Sequence, residues 1–562
     1  QGGPRALTLT GAILYVATAA VGVAVAFDPG AAFARFALLA LGLLTALAIV
    51  WLNGTTREEG LAGLAAAGAA WLAAALGAYF LLVYDWQAAG PAKFAPLQQV
   101  GLAIQSLRPD LGIQDDADPN VVAGALVALL ALGGGGLVRL WARQKILAGL
   151  TLLAWLLGAG VLLLTASRGG WLGLGVGALT AGLLWWRTGP GRHNPLRFGV
   201  DALLILLLGG LTLSVIATLI VPSFAGPLGS LGVGGSAMSR AMLWRDTLPL
   251  IADYRFTGSG LTGTPELYSA YAFLLHVNFL THAHNLFLQI ALEQGLPGLI
   301  GFLAMLGGTG LSLVLTLRHG DRYQRALAAG AAASLTALSV HGLADAGFYV
   351  SLLAPLLFLP FGVAWAVRAS MVKNRLPGPS SSSRKRRAAA MSVAAGIALP
   401  VAALILVLGW PGAPAAAAAN LGAVSQSKAE LSVYIWPEWG IQDELRRTRA
   451  VDLEDAVARY SLALYLNEAN GTANRRLGQM ALSLGDLAAA ERYLVAAHAT
   501  APQERSAAQL LGEVRALQGR PDEAQALWQP LNLANGQLNA RQWWWSHVGT
   551  AEQERALAEA VR

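Results

Sequence analysis

The sequence predicts an all-α polytopic membrane protein, and three features of its composition support this. The 562-residue chain is 55% hydrophobic and only 13% charged. Its apolar residues fall into runs that can cross a bilayer as helices, for which roughly 20 residues are needed. Glycine is abundant, with 65 residues, as is usual where transmembrane helices pack closely. A large soluble core would not give this pattern.

About eleven apolar runs meet that length, and they predict the helices of the bundle. They are Leu7–Phe27, Phe33–Leu52, Leu61–Val83, Val121–Trp141, Ile146–Ala166, Trp171–Trp186, Ala202–Val221, Leu296–Leu317, Ala326–Ala344, Val350–Val367 and Met391–Trp410. The first run could be a signal peptide, but it is too long and many similar runs follow it. A shorter piece, Leu286–Gln294, is expected to be a bent extension of the next helix or a re-entrant segment.

Basic residues in the connections predict which helix ends face the cytoplasm. Lysine and arginine cluster after the fourth, sixth, eighth and tenth runs, most strongly at Arg384 to Arg387. These clusters alternate consistently if the N-terminus is cytoplasmic. We therefore expect a multi-pass protein of the inner or plasma membrane. The turn Ser167-Arg168-Gly169-Gly170 and the long loop of residues 222–284 would then face the periplasm or cell exterior.

Charge and cysteine content restrict the possible functions. We attribute the formal net charge of +7 to the positive-inside bias of membrane proteins, and expect no nucleic-acid partner. The chain contains no cysteine, so disulfides, thiolate metal sites and a cysteine nucleophile are impossible.

The C-terminal part is predicted to be an extracytoplasmic α-helical repeat domain. A transmembrane domain of residues 1–410 would be joined by a linker, residues 411–452, to repeats in residues 453–562. Leu477-Gly478 recurs 34 positions later as Leu511-Gly512. Ala456, Tyr460 and Ala463 would lie on the second helix of a preceding unit. The pattern resembles tetratricopeptide repeats, although a generic alanine-rich helical array would look similar. Such arrays bind peptides or proteins, which makes a protein partner an open hypothesis.

The long loop carries a cluster of cationic and polar side chains. Polar groups are costly near lipid, so such a cluster is a functional-site hypothesis. A zinc site would need a third ligand at a characteristic spacing beside the loop histidines, and none is evident, so no metal is expected. The cluster contains Arg240, Trp244, Arg245, His276, His282, His284 and Asn285.

Three motifs carry a family resemblance. His284-Asn285, nine residues, Gly295, two residues and Gly298 resemble the O-antigen ligase and O-antigen polymerase superfamily of bacterial membrane glycosyltransferases, and every position fits the ligase pattern. Ser167-Arg168-Gly169 looks like the family's Ser-Arg-Gly element, and Ser239-Arg240 looks like the start of its periplasmic loop. The resemblance covers roughly Leu7 to Val367. It implies a helical bundle around a cavity open to lipid.

The resemblance implies transfer of a glycan from undecaprenyl pyrophosphate to an acceptor hydroxyl of a glycan, lipid or protein. Arg168, Arg240 and Arg245 are expected to bind the pyrophosphate, whose negative charge grows as the glycosidic bond breaks. His284 is expected to activate or orient the acceptor. One displacement would invert the anomeric configuration, and neither metal nor cofactor is needed if the arginines neutralise the charge. Supporting roles are expected for Ser167, His282, Asn285, Gly295 and Gly298.

Several residues have alternative interpretations. Arg168 could be an interfacial anchor. Arg240 and Arg245 are five residues apart and do not share a helix face. The alternative for at least one of them is therefore a structural ion pair with a nearby aspartate, Asp246 or Asp253, and no contact with the donor. His341 and Asp345 can share a helix face, where they could line the cavity or pair with each other.

The acceptor class separates three versions of the function. The His-Asn…Gly…Gly pattern favours a ligase over a polymerase, whereas the repeats favour a protein O-oligosaccharyltransferase. A non-enzymatic transporter or flippase would need intramembrane acidic relays or paired charges, and the apolar runs contain few. A membrane-anchored scaffold would leave the loop cluster unexplained.

Overall fold

A computed structural model describes residues 2–55, 60–88, 94–109, 117–188, 234–275, 280–373, 383–433, 442–531 and 535–561. The regular structure in these ranges is helical, with no strand. The N-terminal helices are α1 (Gly2–Val25), α2 (Pro29–Thr55), α3 (Gly60–Val83), α4 (Ala95–Leu107), α5 (Pro119–Arg143), α6 (Lys145–Leu164), α7 (Arg168–Thr188), α8 (Gly234–Asp253), α9 (Thr264–Leu267), α10 (Leu286–His319), α11 (Arg322–Gly342), α12 (Gly347–Val350), α13 (Leu359–Lys373) and α14 (Ser383–Leu408), with a π-helix at Tyr268–Phe273 and a 3-10 helix at Ala354–Phe358. The C-terminal helices are α15 (Ala413–Leu431), α16 (Gln442–Arg447), α17 (Glu454–Leu466), α18 (Gly471–Ser483), α19 (Leu487–Thr500), α20 (Arg505–Leu517), α21 (Pro521–Trp528), α22 (Asn535–Val548) and α23 (Ala551–Val561), with a 3-10 helix at Gln529–Leu531.

Eight helical segments within the described ranges are long and apolar enough to cross a membrane: α1, α2, α3, α5, α6, α10, α14 and the segment of residues 354–372 that contains α13. Their outward faces carry exposed large apolar side chains such as Ile13, Leu44, Leu153 and Leu406. Such a surface is favourable against lipid and unfavourable in water. The chain is therefore an all-α polytopic membrane protein.

Two of the predicted spans are helices of lower hydropathy. Trp171–Trp186 and Ala326–Ala344 correspond largely to α7 and α11, which are not among the eight apolar candidates. Most of α11 is buried, and Gly177 of α7 packs against the backbone of Ala333 of α11. A helix enclosed by other helices packs through small residues and needs few large apolar ones. The expected span Ala202–Val221 lies outside the described residues.

The short apolar piece before the double-glycine motif is confirmed as a bent extension of the following helix. Leu286–Gln294 forms the first part of α10, and Gly295 interrupts that helix with φ 70° and ψ 179°. The amide of Leu296 donates to the carbonyl of Arg255 at 2.8 Å, which ties the bend to the loop after α8. Only glycine adopts this backbone conformation readily. The motif therefore encodes the junction between loop and membrane helix.

Replacement of Gly295 is expected to destabilise the protein. In Gly295→Ala, the new Cβ would lie 2.8 Å from the Arg255 carbonyl oxygen, in a conformation that alanine disfavours. We expect a loss of about 1–3 kcal/mol in the free energy of unfolding, measured in detergent. The matched control is Gly307→Ala on the same helix, where a Cβ would meet nothing within 4 Å. Equal stability of the two variants would contradict the assignment.

The C-terminal helices form pairs that repeat at the expected interval. The helices α18 and α20 begin 34 residues apart, as do α19 and α21. The helices of each pair approach closely at a glycine. A Cβ added to Gly478 would clash with Leu494 in the first pair, and one added to Gly512 would clash with Trp528 in the second. The periodicity is therefore structural, whereas the resemblance to tetratricopeptide repeats stays a prediction.

The structure has a packed helix inside the expected linker. Of residues 411–452, those from Ala413 to Leu431 form α15, and most of its side chains are buried. This helix packs against α17, where a Cβ on Gly422 would meet the ring of Tyr460. Alanine-rich composition suggests a linker, but small side chains also let helices approach closely. Helix α15 thus takes the place of the first helix in an additional pair.

Candidate active site

The candidate site lies where three segments meet at one end of the bundle, which we call the site end. Helix α8 brings Arg240 and Trp244, the turn before α10 brings His282 and His284, and the turn after α11 brings Asp345. These residues come from distant parts of the chain. Their contacts exist only in the folded protein.

His284 and Asp345 form the central pair of the site. The two side chains are 3.0 Å apart between His284 Nδ1 and Asp345 Oδ2. Asp345 is 3% exposed, whereas His284 is 27% exposed. A carboxylate can only accept here, so Nδ1 donates and Nε2 remains the nitrogen able to take a proton. The pair therefore presents a histidine, oriented by a buried carboxylate, to the surface of the site.

Asp345 is held as a carboxylate by its neighbours. Burial raises the pKa of this carboxyl group, but the neighbouring His282 ring and the hydrogen bond from His284 outweigh it and hold the pKa well below its usual range. The backbone amide of Gly347 also donates to Oδ1 at 2.7 Å. His282 Nε2 lies 3.5 Å from the same oxygen. These contacts fix both the charge and the orientation of Asp345.

The backbone at His284 is held in an uncommon conformation. Its φ is 47°, in the left-handed region, which non-glycine residues adopt rarely. Asn285 follows as the N-cap of α10, where its side chain accepts from the amides of Phe287 and Leu288. It also donates to the Leu343 carbonyl at 3.1 Å, and Trp244 Nε1 donates to the His284 carbonyl at 3.2 Å. Residues from three segments thus hold this turn, and strain of this kind is concentrated at functional sites.

Arg240 extends the site toward the surface. Its Nη2 lies 4.0 Å from Asp345 Oδ2, and the side chain is 29% exposed. Arg245 is five residues further along α8 and therefore about 140° around the helix. Of the aspartates considered as partners, Asp246 contacts Arg505 and lies near Arg245, and Asp253 contacts Arg475. Of the two arginines, Arg240 is therefore the one that borders the His284–Asp345 pair.

Arg168 lies at the start of α7, beside the site. Its guanidinium carbon is 5.5 Å from the centroid of the Phe94 ring. The following residue, Gly169, packs against His341, and the backbone amide of Asp345 donates to the His341 carbonyl. The Ser-Arg-Gly element is therefore one layer of side chains away from Asp345.

The other residues with expected supporting roles make local structural contacts. Ser167 donates to the side chain of Asn120 at 3.0 Å and accepts from the amide of Gly170, in the first turn of α7. His282 Nδ1 is 2.8 Å from the Thr281 hydroxyl. A Cβ on Gly298 would clash with Gln294, so this glycine permits the bend of α10. His276 lies outside the described residues.

His282, His284 and Asp345 also form a group that could hold a metal ion. Their candidate ligand atoms all lie within 4.8 Å of one another. The sequence argument against a metal depended on a missing third ligand, and the fold supplies Asp345 as that ligand. The guanidinium of Arg240 beside the same carboxylate oxygen opposes a cation by charge repulsion. Arg240 therefore makes this cluster a less favourable cation site than its three candidate ligand atoms alone would be.

An apolar cavity of about 860 Å³ lies between α5, α6, α7 and α11. Three tryptophans, Trp155, Trp171 and Trp185, contribute to its walls with small residues such as Gly134 and Gly330. Trp171 is one turn along α7 from Arg168, and its ring contacts Phe94 with the centroids 5.0 Å apart. The cavity thus begins close to the Ser-Arg-Gly element.

These observations define an all-α polytopic membrane protein with a histidine–carboxylate site at one end of its bundle. Residues 152–303 match a family model described as O-antigen ligase, which confirms the resemblance to that superfamily. The match contains Arg168, Arg240, Arg245 and His284, and supports a membrane enzyme of the O-antigen ligase or polymerase type. No curated protein matches the chain.

Asp345 is the residue whose contact with His284 the sequence did not reveal. It lies outside the matched segment, and its spacing from His341 left open whether it lines the cavity or pairs with His341 on one helix face. In the structure α11 ends at Gly342, so Asp345 turns toward the histidines instead. A carboxylate just beyond a predicted spanning helix, on the same side as the loop, was the available signal.

Proposed function

We propose that the protein transfers a glycan from undecaprenyl pyrophosphate to an acceptor hydroxyl at the outer face of the membrane. The observation that carries this proposal is the partly exposed His284, oriented by buried Asp345 and flanked by Arg240. A base and a cation next to each other suit a reaction in which a hydroxyl attacks and a phosphate leaves. The family match supports the same reaction class.

His284 is the proposed base. Its Nε2 accepts the proton of the acceptor hydroxyl, while the hydroxyl oxygen forms a bond to the anomeric carbon of the donor. The bond from that carbon to the pyrophosphate oxygen breaks, and undecaprenyl pyrophosphate leaves with the electron pair. Asp345 stabilises the imidazolium that forms. A single displacement of this kind inverts the anomeric configuration.

Arginines are the proposed ligands of the pyrophosphate. A guanidinium is always charged and can donate two parallel hydrogen bonds to phosphate oxygens. Arg240 is the nearest to His284, and Arg168 lies beside the apolar cavity, which would accept isoprenoid units of the donor. Arg245 remains a donor-binding candidate on the same helix as Arg240. The negative charge gained by the leaving group is thereby neutralised.

We infer that the site end faces the periplasm or cell exterior. Arg143, Arg318, Arg322 and Arg325 lie at the opposite ends of α5, α10 and α11. Basic residues favour the cytoplasmic side. Nucleotide-activated sugars are absent outside the cytoplasm, so a lipid-linked donor is the consistent substrate class.

The proposal is tested with the purified full-length chain in lipid nanodiscs. A glycan on undecaprenyl pyrophosphate is supplied with a panel of glycan, lipid and polypeptide acceptors. We expect a glycosylated acceptor, an equal amount of free undecaprenyl pyrophosphate and an inverted anomeric linkage by NMR. A product with retained configuration, or no consumption of donor with any acceptor, would overturn the proposal.

Transfer is expected to need no metal ion. Incubation with a strong chelator should leave the rate within about twofold of the untreated enzyme, because arginines supply the positive charge. Metal analysis of the purified protein should find no stoichiometric zinc. Loss of activity on chelation, with recovery on added zinc, would instead assign His282, His284 and Asp345 as a metal site.

A further inference from the structure

The C-terminal helix pairs are buried asymmetrically. Nearly every residue of α18 from Ala473 onward is buried, and the same holds for α20 from Ser506. Their partners α19 and α21 bury only a stripe of residues, such as Ala490 and Leu494 on α19. One face of α18 and α20 packs on these partners, so another part of the chain must cover the opposite face. We call that opposite face the inner face.

The loop that carries the candidate site covers the inner face of α18. Asp253, the last residue of α8, contacts Arg475 Nη2 at 2.5 Å and Arg476 Nη2 at 2.6 Å. The Arg476 guanidinium carbon lies 3.6 Å from the centroid of the Tyr271 ring. Gln479 Nε2 donates to the Ala270 carbonyl at 3.1 Å. The π-helix and the end of α8 therefore fill the position where a bound peptide would lie in a helical repeat array.

The inner face of α20 is covered in a similar way. Arg505 contacts Asp246 of α8 at 3.4 Å, and Leu274 is buried in the same apolar cluster as Leu510. Further along α20, Glu513 accepts from Arg541 at 2.8 Å. The site-bearing loop and helix α22 therefore together cover the inner face of α20.

The part of this contact that surrounds Asp253 is a buried ion network. Asp253, Arg475 and Arg476 are each at most 2% exposed. Burial raises the pKa of Asp253, but the two arginines outweigh it and leave the pKa below its usual range. Glu504 pairs with Arg475, so the four charges sum to zero. A buried ion network of this kind adds little net stability over apolar packing, and fixing a geometry is one of its attested uses.

We propose that the inner face of the helix pairs binds the chain's own site-bearing loop rather than another polypeptide, and that Asp253 is a positioning residue for Arg240. The positioning part rests on the proposed function, because Arg240 is its target. Asp253 and Arg240 are thirteen residues apart on α8, which spans about 20 Å. The helix is anchored at its C-terminal end by Arg475 and Arg476. Near its middle it is held by Trp244, which donates to the His284 carbonyl, and by Asp246, which contacts Arg505. Release of the C-terminal anchor lets the helix tilt about these middle contacts, which displaces Arg240.

The double variant Asp253→Asn/Arg476→Met tests this proposal. It removes one charge of each sign, so the remaining pair of Arg475 and Glu504 stays balanced. Hydrogen–deuterium exchange should rise in residues 234–253, while α19 and α21 stay protected. With a glycan acceptor, the transfer rate should fall about tenfold or more, because small displacements of reacting groups are costly. When Arg240→Ala is already present, adding the same double variant should lower the transfer rate by less than about twofold, because the helix then carries no Arg240 guanidinium whose position matters.

The matched control is Asp455→Asn/Arg459→Met, which removes an ion pair on the exposed side of α17. It should change neither exchange in residues 234–253 nor transfer. Unchanged exchange in the Asp253 double variant would overturn the positioning role. A loss confined to polypeptide acceptors, with glycan acceptors unaffected, would show that the inner face binds the acceptor and overturn the proposal. If wild-type protein transfers no glycan at all, the proposed function fails, while the exchange result still decides whether the loop is held by the repeats.

Discussion

Replacing His284 is expected to lower the rate of glycan transfer by about 10²–10⁴-fold, the usual contribution of a general base. The reason is geometric, because Asp345 holds Nδ1 at 3.0 Å and leaves Nε2 for the acceptor hydroxyl. The rate is measured with saturating donor and acceptor, so that the loss appears in kcat. Binding of the donor should change little, since the arginines remain.

The choice of substitution matters because the His284 backbone has φ 47°. Alanine disfavours this conformation, so His284→Ala could also disturb the turn before α10. Asparagine tolerates left-handed φ but is no base, so His284→Asn should keep the fold and lose the rate. His319→Ala, at the opposite end of α10, is the control and should behave as wild type. A His284→Asn variant that keeps its full rate would remove histidine from the mechanism.

Replacing Asp345 is expected to have the second largest effect. In Asp345→Asn the side chain can donate through its amide, which favours the tautomer of His284 with its proton on Nε2. That tautomer cannot accept a proton from the substrate, so kcat should fall by about 10²-fold or more while KM for the acceptor changes little. Asp345→Glu keeps the carboxylate and should recover part of the rate. Equal rates for the wild type and Asp345→Asn would show that the histidine needs no carboxylate partner.

Asp345→Asn should also reduce the loss of folding stability that the protein shows as the pH falls. The folded-state pKa of this carboxyl lies below the value near 3.9 expected for an unfolded chain. Its ionised form therefore stabilises the protein above that value, and the contribution is lost as pH falls through the folded pKa. In a series of unfolding measurements from pH 7 to pH 3, the wild type should lose more stability than Asp345→Asn.

The fold class could be predicted from the sequence because the bilayer imposes a length on each helix. Ten of the predicted spans correspond to described helical segments, and Ala202–Val221 is outside the described residues. The motif residues His284, Asn285 and Gly295, which the sequence singled out for their family resemblance, also have local structural effects at the start of α10. Asn285 caps α10 and Gly295 bends it, and such effects act within a few residues of chain.

The nature of residues 411–452 could not be predicted from composition. Alanine is both the best helix former and a common linker residue, so the sequence of α15 fits either state. Whether this segment forms a packed helix or a linker depends on the presence of a surface to pack against. Here that surface is α17, whose Tyr460 ring lies against Gly422. The burial of the three consecutive tryptophans at 543–545 likewise depends on the surfaces around them, which composition does not show. Trp544 and Trp545 are buried in the packed helices, whereas Trp543 is half exposed beside His547.

The sequence by itself determined that this chain crosses a membrane many times and carries a polar loop with a ligase-like motif. The length of an apolar run, the basic residues in a connection and a short motif each involve residues that are close in sequence, so they can be recognised from the sequence alone. The tertiary structure alone decided that Asp345 partners His284 and that Asp253 meets Arg475 and Arg476. Electrostatic pairing depends on distance in space, and these partners are separated in sequence by whole helices.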